Sequence, residues 1–308
     1  MIAGIDIGFG EVKVVTDTKK EFKFRSEYSI YNPKTVLKGV NGKVNLLPFD
    51  GKDYLIGQEV EKVGGSAITI SDVDNLIELA PLFLQSVVKK IGFDKEDPDS
   101  VLAVGLPLGA MHRKDDMKRQ IRKFYPHNQV IVLAQGVGIF VDSGLKNVLV
   151  IDIGHNTVDL FVAENGKIVT EENDMLGDEG VKVITNKLHK YIQGRYEMNL
   201  STPKLQDILR SKKVLCMGKE HDIKEDINEM IDNYSTSLIQ RIATQYAQRL
   251  RKTEKIVVAG GGSHYVNFRG TKWAQMVHIP EKAEFSNARG FVKIASALKK
   301  PAAQAKGE

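Results

Sequence analysis

Cysteine is all but missing from this chain: among 308 residues only Cys216 carries a thiol. An intramolecular disulfide is therefore impossible, and a cysteine-held iron–sulfur cluster or zinc site lacks its ligands. A reducing compartment fits this usage, so a cytoplasmic location is expected. Aromatics are also few, at 7%, and tryptophan occurs once, as Trp273. Core packing is the default role for Cys216 and Trp273. No apolar run approaches the ~20 residues of a transmembrane helix. The N-terminus enters a short apolar strand without a basic leader or a cleavage site, so a signal peptide is not expected. The tail "KKPAAQAKGE" is short and poor in apolar residues, which argues against an amphipathic membrane anchor.

Two phosphate-binding patterns are lacking as well. No G-x-x-x-x-G-K-[ST] loop is present, and Gly8-Phe9-Gly10 runs on into Glu11-Val12-Lys13 and a strand, not into a helix as a dinucleotide-binding turn requires. Charge is nearly balanced at +5, which permits an acidic partner without demanding one. The densest basic segment is "HRKDDMKRQIRKFYPH", His112 to His127, whose spacing fits a helix with Met117, Ile121 and Phe124 on one apolar edge. A solvated helix face is one reading, and a contact with a protein or polyanion is the other.

What is present is a repeat. "MIAGIDIGFGEVKVV" opens the chain and "VLVIDIGHNTVDLF" recurs deep inside it, so Ile-Asp-Ile-Gly occupies residues 5–8 and again 151–154. Aligning Ile5 with Ile151 pairs Val12 with Val158 and Val14 with Leu160, the mark of an internal duplication. Alternating apolar residues and turn signals predict strands near 2–8, 11–17 and 20–26, and again near 147–153, 157–163 and 167–173. Helices are expected near 74–91, 112–127, 178–196, 203–211, 222–251 and 286–298. Three turn signals, "NPK", "NGK" and "DGK", mark a β-rich insertion at about 30–75. The chain thus reads as two α/β halves with largely parallel sheets, 1–142 and 143–285, with the segment 286–308 returning to the first half.

The repeated turn has a chemistry of its own. Glycines after a buried strand let backbone N–H groups approach an anion closely. The Asp is repelled by phosphate, but it can hold Mg2+, directly or through water, and the cation bridges to the phosphates. Two such turns and a late strand ending in Gly260-Gly261-Gly262 point to a polyphosphate ligand.

These segments resemble the actin-like ATPase superfamily. "IDIGFGEVKVV" resembles its first phosphate motif, "VIDIGHNTVDLF" its second, and "VVAGGGSHYV" its adenosine motif. "VLAQGVGIFVDSG" and "FSNARGFVKIA" resemble its two connecting segments, and all five lie in family order. The compact length and "NARGF" are most similar to plasmid-segregation actins of the ParM/StbA type and their bacterial and archaeal relatives. The resemblance implies an actin-like, ribonuclease H-like fold: two duplicated α/β domains around a nucleotide cleft. It implies ATP and ADP as ligands with Mg2+. Asp6 and Asp152 would hold the metal, and Asp152 would also help hold the attacking water. Gly8, Phe9, Gly10 and Lys13 would wrap the phosphates, and Gly154, His155, Asn156 and Thr157 would form the opposing wall. Gln135 sits where the family places a water-orienting residue. Gly260, Gly261 and Gly262 would let the backbone pass the adenosine, and Gly177 and Gly180 match a region near ribose and base. His155 stands where the family has a small residue.

Within the superfamily, a chaperone requires a further substrate module, and a sugar kinase usually requires an acceptor pocket and an aspartate base, to which no residue of this sequence can be assigned. The expectation is an ATP- or GTP-hydrolysing protein that polymerises with itself, closed by ATP and relaxed after hydrolysis. It would move or position cargo such as a plasmid through a DNA-binding adaptor protein, with no direct DNA binding of its own. The alternative is a soluble small-molecule kinase or phosphohydrolase of the same superfamily.

Overall fold

The structure is a computed structural model that describes residues 1–33, 44–63, 66–177 and 179–299. The chain divides into two compact units, Met1–Leu145 with the segment from Glu284 onward, and Lys146–Ala283.

In the first unit, strands β1 (Ile2–Ile7), β2 (Glu11–Thr16) and β3 (Glu21–Arg25) form a meander. Strand β4 (Glu27–Ile30), β5 (Leu47–Phe49), β6 (Lys52–Ile56), the short helix α1 (Gln58–Val63) and β7 (Ile68–Thr69) follow, and the four strands pair in the order β5-β6-β4-β7. This is the expected β-rich insertion; its residues 34–43, 64 and 65 lie outside the described residues. Helix α2 (Val73–Ile91) is capped by Asp72, whose carboxylate accepts the Asn75 N–H at 2.8 Å, and closes on Gly92 in the left-handed region. Then come β8 (Val101–Leu106), a 3-10 turn over Leu108–Arg113, α3 (Lys114–Arg122), β9 (Gln129–Ala134) and α4 (Val137–Ser143).

The five-stranded sheet of this unit has the order β3-β2-β1-β8-β9, with β1 antiparallel to β2 and parallel to β8. Every residue of β1 and β8 is buried, as continuous apolar runs in the middle of a parallel sheet should be. One face of the sheet packs Ile5, Ile7, Val12 and Val104 against Leu76, Leu82 and Phe83 of α2 and Met117 and Ile121 of α3. The basic segment therefore buries its apolar edge, while Arg113 pairs with Asp74 and Asp116 and Arg119 pairs with Asp116.

The second unit repeats the plan. It contains β10 (Val148–Ile153), β11 (Val158–Glu164), β12 (Lys167–Leu176), α5 (Lys182–Tyr196) and α6 (Thr202–Ser211). A hairpin of β13 (Lys213–Cys216) and β14 (Lys219–Asp222) leads into α7 (Lys224–Gln245), α8 (Ala247–Lys252), β15 (Lys255–Ala259) and β16 (Val277–His278). The expected single helix over 222–251 is two, broken at Tyr246. The sheet order is β12-β11-β10-β15-β16, with β10 antiparallel to β11 and parallel to β15. The duplication extends to register: Ile5 faces Val14 and Ile7 faces Val12 in one sheet, Ile151 faces Leu160 and Ile153 faces Val158 in the other. Ile151, Leu160 and Val258 share a core with Ile184 and Leu188 of α5 and Leu238 of α7.

The last helix, α9 (Ser286–Lys299), belongs to the first unit. Phe291 and Ala295 cover Ile2, Val101 and Ala103 on the sheet face opposite α2. Helices α4 and α9 cross with their backbones touching: a Cβ on Gly290 would lie 1.9 Å from the Gly138 carbonyl oxygen. Asp142 of α4 locks this crossing through Arg289 at 2.9 Å and Lys293 at 2.8 Å.

Candidate functional site

The two repeated turns are built alike at atomic detail. Gly8 N–H donates to the Glu11 carbonyl at 3.1 Å, and Gly154 N–H donates to the Thr157 carbonyl at 2.9 Å. A Cβ on either glycine would meet that same carbonyl at 3.1 Å.

In the first unit the turn is held from behind by Ser26. Its hydroxyl donates to the Gly8 carbonyl at 2.5 Å and its N–H to the Gly10 carbonyl at 3.1 Å. Because a trans peptide sets C=O and N–H on opposite sides, tying back the Gly8 carbonyl presents the Phe9 N–H on the other side of the turn. The Lys13 ammonium lies over the turn, 3.2 Å from where a Gly8 Cβ would be. Lys13 is the cross-strand partner of Asp6, which is 6% exposed. Burial pushes the Asp6 carboxyl above its ordinary value, against the pull of Lys13 and of hydrogen bonds from Gln135 and Asn287. Gln135 Nε2 donates to Asp6 Oδ1 at 2.7 Å. Asn287, on α9, accepts the Gly136 N–H at 2.7 Å. Gln135 here orients the Asp6 carboxylate, and Asn287 ties that carboxylate to the turn into α4, where Gly136 takes φ 85°.

In the second unit the segment leading into α5 plays the part of Ser26. Val181 N–H donates to the Gly154 carbonyl at 3.1 Å, Lys182 N–H to His155 at 2.8 Å, and Gly180 N–H to Asn156 at 3.2 Å. Three successive carbonyls are thus turned toward the helix. Across each trans peptide the N–H groups of His155, Asn156 and Thr157 point the opposite way, as donors suited to an anion. Gly180 is required for this approach, since a Cβ there would fall 2.5 Å from the His155 carbonyl oxygen. Gln206 of α6 contacts the His155 ring at 3.4 Å, Nε2 to Nδ1.

Asp152 ends β10 at 7% exposure. Gly260, at φ 84°, lies so close that a Cβ would sit 2.4 Å from Asp152 Oδ1. Gly262 donates its N–H to the Ile153 carbonyl at 2.8 Å and has no room for a side chain. Two of the three late glycines are therefore demanded by packing on the end of β10. Gly261, like Gly177, faces open space.

A second buried carboxylate stands beside Asp152. Asp159 is the cross-strand partner of Asp152, only 4% exposed, with Thr157 Oγ1 donating to its Oδ2 at 3.4 Å and no hydrogen bond to its Oδ1. Burial pushes its carboxyl up to about 6. The duplication pointed to it, because aligning Ile5 with Ile151 sets Asp159 at the place of Lys13. Ser26 and Asn287 complete the first turn; Asn287 lies within the segment "FSNARGF", whereas no local sequence signal marks Ser26.

Among the described residues, no three His, Cys, Asp or Glu side chains gather around one point. Mg2+ needs no such cage: it takes one or two carboxylates and fills its shell with water and phosphate oxygens. Asp6 and Asp152, each a buried carboxylate at the end of a strand beside an amide-rich turn, fit that donor set.

Family comparisons agree with this construction. Residues 4–138 match the family described as "Actin like proteins N terminal domain", and residues 150–269 match "Archaeal actin homologue MreB-like, C-terminal". The chain belongs to the actin-like ATPase superfamily. It is similar to an archaeal actin homolog of Thermoplasma volcanium, 22% identical over 94% of this chain and 97% of the relative. Among solved structures it resembles Ta0583, an archaeal actin homolog in complex with ADP, with a TM-score of 0.76 and 19% identity over 96% of this chain and 99% of that one. It also resembles a subunit of a 15-stranded ParM filament from Clostridium botulinum, with a TM-score of 0.75 and 20% identity over the same shares.

Proposed function

We propose that this chain binds ATP with Mg2+, hydrolyses it, and assembles with itself into filaments whose lifetime follows the nucleotide. The observation that carries the reading is the tie-back of three consecutive carbonyls, Gly154 to Asn156, by the N–H groups of Gly180, Val181 and Lys182 at the entry to α5. It leaves a preorganised row of amide donors next to a buried carboxylate, and such donors stabilise phosphate charge without reorganising during reaction. The matching turn at Gly8, backed by Ser26, and the Lys13 ammonium support a second set of phosphate contacts. Mg2+, held by Asp6 and Asp152 through water, would neutralise phosphate charge. Gln135 keeps the Asp6 carboxylate in place and is the residue to orient the attacking water; Asp152 and Asp159 are the carboxylates that hold that water and take its proton.

The names of similar proteins, an ADP complex and a ParM filament, support nucleotide binding and self-association for this chain. A cytoplasmic filament that positions cargo, such as a plasmid engaged through an adaptor protein, is the biological role we favour.

Sedimentation and light scattering at fixed Mg2+ and salt test the reading. Protein with ATP or a non-hydrolysable analogue should pellet at a lower critical concentration than protein with ADP. Equal critical concentrations with analogue and ADP refute nucleotide control. Phosphate release without any pelletable polymer would point to a small-molecule kinase or phosphohydrolase instead.

A further inference from the structure

The last helix of the first unit reaches the first repeated turn. The backbone of α9 lies directly on β1 and α4. A Cβ on Gly4 would fall 2.1 Å from the Ala288 carbonyl oxygen, and a Cβ on Gly138 would fall 2.4 Å from that of Asn287. Gly4 stands two residues before Asp6 on β1, so the first turn of α9 is seated beside that carboxylate. Ala288, Phe291 and Ala295 of α9 are fully buried, as the apolar stripe of a helix packed on a sheet should be. Two polar residues share that burial, Ser286 and Asn287. Ser286 is used within the helix, where its hydroxyl oxygen accepts Arg289 Nη2 at 2.9 Å. The backbone contacts of α9 do not call for an amide at residue 287, and a buried amide is costly unless both its ends are bonded.

Both ends of Asn287 are bonded, and both bonds go to the site. Its Oδ1 accepts the Gly136 N–H at 2.7 Å. Its side chain also hydrogen-bonds Asp6; an ionised carboxylate only accepts, so the donor there is Nδ2. Gly136 directly follows Gln135 and takes φ 85°, so the Asn287 amide fixes the peptide that carries Gln135. One helical turn further along α9, on the same face, Phe291 reaches the Gln135 stem. The two share the space beside Gly105, where a Cβ would lie 2.8 Å from the Phe291 ring and 3.2 Å from Gln135 Cγ. Helix α9 thus touches the Asp6 carboxylate, the backbone next to Gln135 and the side chain of Gln135.

We infer that Asn287 is a positioning residue of the site: with Gln135 it holds the Asp6 carboxylate ionised and aimed for Mg2+, and through Gly136 it sets where Gln135 stands. The inference rests on the Mg2+ and ATP reading above and assigns to it a residue from the last helix. Burial disfavours the charge on Asp6, and two amide donors offset part of that cost. Groups that orient a metal-holding carboxylate in this way tune metal affinity without touching the metal. A purely structural Asn287, tying α9 to α4, would affect stability and leave metal handling alone, so the two roles separate by experiment.

The test uses full-length Asn287→Ala and Asn287→Ser, titrated with Mg2+ while binding of a fluorescent ATP analogue is followed. The half-saturating Mg2+ concentration should rise about tenfold, while affinity for the analogue in EDTA equals that of wild type. Phosphate release at saturating Mg2+ should fall about tenfold with the KM for ATP unchanged, because Gln135 is displaced. The alanine removes the amide outright and the serine keeps a short hydroxyl, so if one variant folds poorly the other carries the measurement. Asp142→Asn loosens the same α4–α9 crossing and serves as the control: its urea midpoint should fall and its Mg2+ requirement should stay that of wild type. A wild-type Mg2+ requirement in the Asn287 variants, or an equal shift in Asp142→Asn, overturns the assignment while Mg2+-dependent nucleotide binding stands. Wild type whose nucleotide affinity ignores Mg2+ overturns both.

Discussion

Asp159 holds a charge that the fold opposes, so removing it should stabilise the protein while disabling it. The carboxyl is 4% exposed and its Oδ1 accepts no hydrogen bond. Moving it from 3.8 in the unfolded chain to about 6 in the folded one corresponds to about 3 kcal/mol of destabilisation once it is fully ionised. The sign follows from proton binding. Between about pH 4 and 6 the folded state binds more protons at this site than the unfolded state, so stability falls as pH rises through that window and is flat above it. Asp159→Asn keeps the shape and removes the charge. In nucleotide-free protein the variant should exceed wild type by about 1.5 kcal/mol at pH 5 and about 3 kcal/mol at pH 7.5. Urea unfolding at the two pH values measures this, and the melting temperature should rise by roughly 2–4 °C per kcal/mol. The same variant should release phosphate about 10²-fold more slowly. Equal stability of the two proteins at pH 7.5, or a gain that does not change with pH, would refute the account of a charged group held against its solvation.

The other expectations are independent of that one. Asp152→Ala should abolish most Mg2+-dependent ATP turnover, and wild-type phosphate release in that variant would remove Asp152 from the site. Gln135→Ala should bind ATP but hydrolyse it about 10²-fold more slowly. Its Mg2+ requirement should shift upward, because Gln135 Nε2 is a donor to Asp6, and filaments should outlive those of wild type; equal phosphate release at saturating ATP moves the role elsewhere. Gly290→Ala should destabilise the first unit by about 3 kcal/mol through overpacking, against the gain of up to ~1 kcal/mol that alanine normally brings inside a helix. A neutral or stabilised variant in chemical denaturation would deny the backbone contact with Gly138.

The family, the duplicated turns and the α/β organisation were legible in the sequence because each is written in local chemistry. A buried central strand is a continuous apolar run, as in "VLVIDI", and a tight turn after it needs glycine, so Ile5–Gly8 and Ile151–Gly154 declare themselves within a few residues. The boundary between α7 and α8 was not legible, because the apolar spacing runs through Tyr246 without a proline or glycine to break it. What the tertiary structure decided is what the turns face and how their groups are charged. The carbonyls of Gly154 to Asn156 are turned away by N–H groups some 26 residues further along, at Gly180 to Lys182. The Gly8 carbonyl is held by Ser26, and Asp6 by Gln135 and by Asn287 from the far end of the chain. Gly260 and Gly262 read as room for a ligand, yet they are required by Asp152 and Ile153. Asp159 reads as an ordinary strand aspartate until the sheet and its covering layers remove water from it. Solvation, and the direction in which a backbone dipole points, belong to contacts between residues distant in sequence, and only the folded chain brings those residues together.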